Sequence, residues 1–440
     1  MTKVRDGGIY LMLLSVLLGC VPAVAAEEPF DYPFTDPLVA TVLGTPVAQR
    51  APLAEHIDVK MLDLTIFPDR KIPDVFWYNS KLRCSLAKQK GKAPLIFVVA
   101  GVGSGFNSNT MLGLQSAFYR AGFHVVSLSS PTHANFITTA SSTCMPGMLK
   151  EDAADLYRVM RRVWTEVRRH IQVSDFYLAG CSLGGTEAAF VTMLDDEQKA
   201  FNFRKVLLIN PAVSLYTSTT RLDHLLEDNI PGGVAHVGEF AQDLMDKLTQ
   251  VYKSGSFVKF DHNFIYNIYT SLPEPPTDGN LAGAIGLAFR IGACNTVFSS
   301  DVMTHSGFVV PRNLVLHQSD SLEPYFRTLL HISYVKYMEE LVLPALQVHD
   351  PQLTRQSLID SQSLNVIDGY LRNTDKIGVL INEDDIILDK DEVDYLRQVF
   401  GTRAIVFPHG GHLGNLNQRQ VVSSMTNYFT QPSTHQETKP

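Results

Sequence analysis

The stretch Asp175-Phe176-Tyr177-Leu178-Ala179-Gly180-Cys181-Ser182-Leu183-Gly184-Gly185 decides how the chain is read. Asp175 to Ala179 has the character of a strand, and Gly185 to Leu194 that of a helix. Between them Gly180, Ser182 and Gly184 form G-x-S-x-G. A serine held between a strand end and a helix start needs a sharp, crowded turn, and glycines two before and two after remove the side chains that would clash. The helix adds its N-terminal dipole and free N–H groups close to the serine. The motif alone is weak, because an idle serine in a glycine-rich turn satisfies it equally; its weight comes from the flanking strand and helix.

The same alternation continues on both sides of this stretch. Leu95 to Ala100 is an unbroken apolar run, as expected of a strand covered on both faces. A helix is expected near Thr110 to Ala121, a strand at Phe123 to Leu128, and an amphipathic helix from Glu151 to His170. Lys205 to Ile209 reads as a strand, then Ile377 to Ile381 as a strand, Lys390 to Phe400 as a helix and Ala404 to Phe407 as a strand. Upstream, His56 to Phe67 and Val75 to Ala87 read as a strand hairpin, and residues 27–50 as Pro-rich and irregular. The alternation implies a doubly wound α/β sheet. Residues 213–370 break the rhythm, with helical patterns, a Pro273-Glu274-Pro275-Pro276 interruption and an aromatic-rich stretch from Phe257 to Tyr269. They read as a mostly helical insertion. The polar tail 431–440 is expected to be disordered.

Two further segments sit at strand ends. Gly410-Gly411-His412-Leu413-Gly414 follows Ala404 to Phe407, and its glycines let an imidazole project as a general base. Asn382-Glu383-Asp384-Asp385 follows Ile377 to Ile381 and offers a carboxylate to orient that imidazole. Three acids in a row are more often a solvated loop, so at most one is expected to take part.

The order Ser182, acid, His412 resembles the α/β-hydrolase family, over roughly residues 56–212 and 371–430. The resemblance implies a mostly parallel sheet flanked by helices, with the helical insertion 213–370 as a cap between the sixth and seventh strands. It implies Ser182 as nucleophile and His412 as base. In the family's G-x-x-D-x-[IV] loop the matching acid is Asp385; Asn382 stands where glycine is usual, which leaves Asp384 as the alternative. The implied oxyanion hole uses the N–H groups of Leu183 and Val102, the latter on the loop Gly101-Val102-Gly103-Ser104-Gly105. The His-Gly frequent in the family is Ala100-Gly101 here. Phe260 and Phe264 of the insertion are the candidate substrate contacts.

Composition excludes several classes. Lys plus Arg is 37 and Asp plus Glu is 45, a net charge of −8 with no basic block, so nucleic acid is not an expected partner. A dinucleotide site needs G-x-G-x-x-G, but Gly101 and Gly103 are followed by Phe106 where the third glycine belongs. His409 and His412 lack further ligands at familiar spacing, so no metal is expected, and no cofactor. His133 reads as a surface-loop histidine or as one bordering the pocket.

The N-terminus reads as an export signal over residues 1–26. Lys3 and Arg5 precede the apolar run Ile9 to Leu18, which is too short to span a bilayer. Leu17-Leu18-Gly19-Cys20 resembles a lipoprotein signal ending at Cys20; Ala23-Val24-Ala25 resembles an ordinary cleavage site. Either implies a periplasmic, outer-membrane-anchored or secreted protein. Export permits disulfides, and Cys84 with Cys144 is the favoured bridge, against the alternative that all four remaining cysteines are small core residues. The combined expectation is an exported serine hydrolase. Its expected substrate is an ester or thioester of an acyl or lipid kind, with contact to a membrane surface. A peptidase of the same fold and a non-catalytic envelope binding protein are the alternatives. Oligomeric state is not legible.

Overall fold

Apolar runs without polar alternation must be covered on both faces, and in the computed structural model Leu95 to Val99 is wholly buried. The structure describes residues 29–52, 54, 57–254 and 276–431. Eight strands form one sheet: β1 (Val59–Leu64), β2 (Leu82–Ala87), β3 (Ala93–Val99), β4 (His124–Leu128), β5 (Val173–Cys181), β6 (Val206–Ile209), β7 (Ile377–Asn382) and β8 (Ala404–Phe407). Their order is β1-β2-β4-β3-β5-β6-β7-β8. β2 runs antiparallel to β1 and β4, and every other neighbouring pair is parallel. The chain crosses from one half of the sheet to the other between β3 and β5, the kind of place where open α/β sheets carry their sites.

Helices cover the sheet. Before β7 lie α1 (Pro37–Leu43), α2 (Asn109–Arg120), α3 (Ala134–Thr139), α4 (Leu149–Val167) and α5 (Leu183–Gln198), then α6 (Leu215–Glu227), α7 (Val237–Ser254) and α8 (Asp278–Thr304). Shorter helices follow: α9 (Glu323–Leu329), α10 (Tyr334–Tyr337), α11 (Leu343–Gln347), α12 (Arg355–Ser361) and α13 (Asp368–Asn373). After β7 come α14 (Lys390–Phe400) and α15 (Arg419–Thr430). Successive strand residues point to opposite faces. On β5, Phe176 meets Trp164 of α4 at 5.0 Å between ring centroids, while Tyr177 meets Phe429 of α15 at 5.7 Å. So α4 and α15 pack on opposite faces. The described residues from Asp31 onward form one compact unit.

Between β6 and β7 the described chain is helical. By length and mean hydropathy of 1.5 over its most apolar window, α8 could cross a membrane, yet 61% of that window is buried. Arg290 in its middle is wholly buried, its Nη2 donating to Asp223 at 2.7 Å and to Glu227 at 2.8 Å. α8 is therefore a core helix of the insertion.

Several expectations are corrected. Residues 27–50 are not all irregular: Asp36 accepts the N–H groups of Leu38 and Val39 and starts α1 with Pro37 in its first turn. The strand expected over Val75 to Ala87 begins only at Leu82, because Pro73 opens a 3₁₀ segment, Asp74–Asn79, whose Val75 and Phe76 enter the core. Its partner is likewise shortened to β1. Cys84 and Cys144 are not bridged; all four cysteines described are free and buried. Cys84 points into the core from β2, whereas the Cys144 thiol approaches the Ser141 carbonyl at 3.9 Å within its own turn. They are small apolar residues in separate places.

Candidate active site

The turn after β5 is built for a serine in a strained conformation. Ser182 has φ 54° and ψ −128°, outside the regions a non-glycine residue favours. Its N–H donates to Ile209 of β6 at 2.9 Å, and its carbonyl accepts from Gly185 at 2.9 Å, so the sheet and the helix hold it from both sides. The two motif glycines are sterically required. A methyl on Gly180 would lie 2.0 Å from the Gly184 carbonyl oxygen, and one on Gly184 would lie 2.5 Å from those of Val99 and Ala100. The strain, about 1–3 kcal/mol, is carried by this over-determined setting.

Ser182, only 8% exposed, meets a histidine from the far edge of the sheet. His412 Nε2 lies 3.0 Å from Ser182 Oγ. His412 Nδ1 lies 3.0 and 3.1 Å from the two oxygens of Asp385. The imidazole is 16% exposed and the carboxylate wholly covered. Asp385 is held in turn: Asn210 Nδ2 donates to Oδ2 at 2.8 Å and the Ile387 N–H to Oδ1 at 3.1 Å. The three residues named from the sequence thus form one hydrogen-bonded line, placed by the ends of β5, β7 and β8.

Asp384, the alternative acid, faces elsewhere. It accepts the N–H groups of Gly410 and Gly411 at 3.1 and 2.9 Å and so shapes the loop carrying His412. Burial pushes its carboxyl above the ordinary carboxylate range, and those two N–H groups pull the other way. The same loop is fixed from three more directions. Asn382 Nδ2 donates to the Gly411 carbonyl at 2.8 Å, and Asn382 and Asn415 exchange amide hydrogen bonds at 3.1 and 2.6 Å. The His412 N–H donates to Thr41 Oγ1 of α1 at 2.9 Å. Asn382, where glycine was the expected residue, is thus an anchor of the histidine loop. Sequence reasoning named neither it as an anchor nor Asn210, Asn415 and Thr41. A signal existed only for α1, in the Asp36-Pro37 cap.

The glycine loop after β3 passes directly beside the serine. A methyl on Gly101 would lie 3.0 Å from Ser182 Cβ. Gly103 donates to Thr132 Oγ1 at 2.7 Å, Ser104 to the Gly101 carbonyl at 3.0 Å, and Phe106 to Ser129 Oγ at 3.0 Å. Among the described residues the N–H groups of Val102 and Leu183 donate to nothing. α8 backs this loop: a methyl on Gly103 would lie 3.5 Å from Gly292 Cα, and Thr296 Oγ1 donates to the Thr132 carbonyl at 2.8 Å. His133 is no surface-loop residue. It caps α3, with Nδ1 accepting from Asn135 at 3.3 Å, and its Nε2 borders the glycine loop beside Gly105. Burial lowers its pKa. His409 Nε2 lies 3.1 Å from the Tyr32 carbonyl oxygen and is turned to that backbone rather than to a shared ligand site. Phe260 and Phe264 lie outside the described residues, as does the N-terminal segment with Cys20.

No protein-family description matches the chain, and no curated protein does. Solved structures of similar architecture include Est1E from Butyrivibrio proteoclasticus, at 11% identity over 79% of this chain and 93% of that one, with a TM-score of 0.36. A thioesterase domain from the curacin biosynthetic pathway matches at 11% identity over 86% of this chain and 100% of its own, with a TM-score of 0.38. A membrane phospholipase A described as a bacterial virulence factor matches at 14% identity over 85% and 86%, with a TM-score of 0.39. With its single antiparallel β2, the turn at Ser182, and Ser182, Asp385 and His412 at the ends of three parallel strands, the chain has the fold of the α/β-hydrolases.

Proposed function

We propose that the chain is a serine hydrolase cleaving an ester or thioester through an acyl-enzyme. The observation that carries this reading is the unbroken line from Asp385 through His412 to Ser182, with contacts of 3.0 to 3.1 Å. Asp385 is acceptor-only when ionised, so it holds His412 in the tautomer with the proton on Nδ1 and leaves Nε2 free to accept. Ser182 Oγ attacks the acyl carbon as its proton passes to Nε2. The carbonyl π electrons move onto the oxygen, where the N–H groups of Leu183 and Val102 are the available donors; each such donor contributes roughly 3 kcal/mol. Collapse of the tetrahedral adduct breaks the bond to the leaving alcohol or thiol, which takes the proton from Nε2. Water then attacks the acyl-serine by the reverse route. The low exposure of all three side chains favours this chemistry, since charge–dipole interactions strengthen where water is excluded.

The helical insertion is proposed as a cap that selects the substrate. Its support is the contact of α8 with the glycine loop at Gly103 and Thr132, which brings the insertion to the edge of the reacting centre. An acyl or lipid substrate is the reading that suits its apolar content, and export under the N-terminal leader suits an envelope substrate. A panel of p-nitrophenyl esters, acyl thioesters, phospholipids and peptides tests the class. Hydrolysis of esters or thioesters that disappears in Ser182→Ala is the expected result. Cleavage of peptides alone, or no turnover of any member, overturns it.

A further inference from the structure

The loop after β4 cradles the glycine loop after β3. Ser129, Ser130 and Thr132 are buried there. The Phe106 N–H donates to Ser129 Oγ at 3.0 Å, the Ser130 N–H to the Ser104 carbonyl at 3.0 Å, and the Gly103 N–H to Thr132 Oγ1 at 2.7 Å. Ser130 Oγ lies 2.8 Å from Thr132 Oγ1 and fixes that hydroxyl in turn. Gly101 to Ser104 is a four-residue turn, closed by the Ser104 N–H on the Gly101 carbonyl at 3.0 Å. Gly103 at its third position has φ 66°, the positive value that a type II turn requires there. The central peptide of such a turn is flipped relative to type I. Here it joins Val102 to Gly103, and its N–H is the one that Thr132 accepts. Val102 therefore stands between two fixed points, the bond that closes the turn and the bond to Thr132.

α8 of the insertion holds Thr132 from the other side. Thr296, wholly buried, donates from Oγ1 to the Thr132 carbonyl at 2.8 Å. One turn earlier on α8, Gly292 stands against the glycine loop: a methyl on Gly103 would lie 3.5 Å from Gly292 Cα. The side chain of Thr132 thus serves the glycine loop while its main chain serves the insertion.

We infer that Thr132 is a positioning residue for the hydrolysis: it holds the Val102 N–H toward the acyl oxygen, and Thr296 ties that placement to the helical insertion. This rests on the reading of Ser182 as nucleophile and Val102 as oxyanion donor. Without the Thr132 hydroxyl the Gly103 N–H is buried and unpaired, and the turn loosens to regain a partner. Oxyanion donors act only where they are aimed, so a loosened loop lowers the rate of both tetrahedral steps and leaves substrate binding intact.

The test compares Thr132→Val, Thr132→Ser and Thr296→Val in the full-length protein. Active sites are titrated to completion with a fluorophosphonate, and p-nitrophenyl butyrate is the probe substrate. In Thr132→Val, kcat per active site should fall about tenfold to 10²-fold while KM stays within about threefold. Thr132→Ser keeps the hydroxyl and should restore kcat to within about threefold of wild type. Thr296→Val should lower kcat about threefold to tenfold, and the double variant should lose less than the product of the two, because both act along one chain of contacts. An alkyl trifluoromethyl ketone forms a serine adduct whose oxyanion takes the same place. Its affinity should fall by the same factor as kcat/KM, a parallel that general destabilisation does not produce. A loss of kcat below about threefold in Thr132→Val, or one that Thr132→Ser does not restore, overturns the positioning role and leaves the hydrolase reading standing. Thr296→Val with wild-type kcat and ketone affinity overturns the link to the insertion. Folded wild type that takes no probe and turns over no ester overturns both readings. Should Thr132→Val not fold, Thr132→Ala is judged by the same kcat and ketone comparison, and unchanged ketone affinity overturns the role.

Discussion

Asp384 and Asp385 are neighbours of identical chemistry with different employment. Asp385 faces His412 Nδ1, and Asp384 faces the backbone N–H groups of Gly410 and Gly411. Asp385→Asn places an amide where an acceptor is required and favours the wrong imidazole tautomer. Turnover should fall by about 10³–10⁴. Asp384→Asn keeps one acceptor oxygen for two N–H groups. It should cost about 1–2 kcal/mol of stability in urea denaturation and leave turnover within about tenfold. The reverse ranking of the two variants would transfer the orienting role to Asp384. Ser182 and His412 were legible in the sequence because glycines and strand ends mark the turns they occupy. The choice between the two acids rested on a spacing pattern, which pointed to the residue that faces His412. Asn210, Asn382 and Thr41 were not legible, because each acts on a partner 29 to 371 residues away, and a single chain carries no sign of such a pairing.

At the scale of elements, burial pattern and capping decide what forms. The readings of β3, β4, β6, β7 and β8 fall within a residue or two of the observed bounds; for β3 the reason is its unbroken apolar run, since a strand covered on both faces leaves little room for polar residues. The upstream strands were overread, because the apolar Val75 and Phe76 belong to a 3₁₀ segment that inserts into the core rather than to a pleated strand. α1 was missed because prolines were read only as breakers, although Pro37 sits where a helix accepts one. α8 carries the clearest energetic test. Arg290 neutralises Asp223 and Glu227 in a buried setting, and its Nη1 also donates to the Leu330 carbonyl at 3.0 Å. Arg290→Ala leaves Asp223 buried without its partner and should lower stability by about 3–5 kcal/mol. Urea denaturation followed by circular dichroism measures this; a loss below about 1 kcal/mol would show that the insertion does not depend on the pair.

For the molecule as a whole, the sheet fixes where Ser182, Asp385 and His412 meet, and the proposed cap would govern what reaches them. β5, β7 and β8 present Ser182, Asp385 and His412 along one edge, while α8 leans on the glycine loop at the same edge. If the insertion selects the acyl group, Phe260→Ala and Phe264→Ala should change the ratio of long-chain to acetyl ester hydrolysis. Parallel loss on both substrates would instead mean general destabilisation. The proposed export leader over residues 1–26 is tested separately. Cys20→Ala should abolish incorporation of radiolabelled fatty acid if Cys20 is the lipidated residue. If cleavage follows Ala25, the variant should be processed as wild type and the mature chain should begin at Ala26.

The central claim is that Ser182 is a nucleophile activated by His412. Intact-mass analysis after treatment with a fluorophosphonate probe tests it most directly, because the probe bonds only to an activated serine and requires no knowledge of the substrate. One adduct per chain is expected, mapped to the peptide containing Ser182, absent in Ser182→Ala and reduced by orders of magnitude in His412→Ala. A folded wild-type protein that takes up no probe, or takes it up equally well in Ser182→Ala, would contradict it.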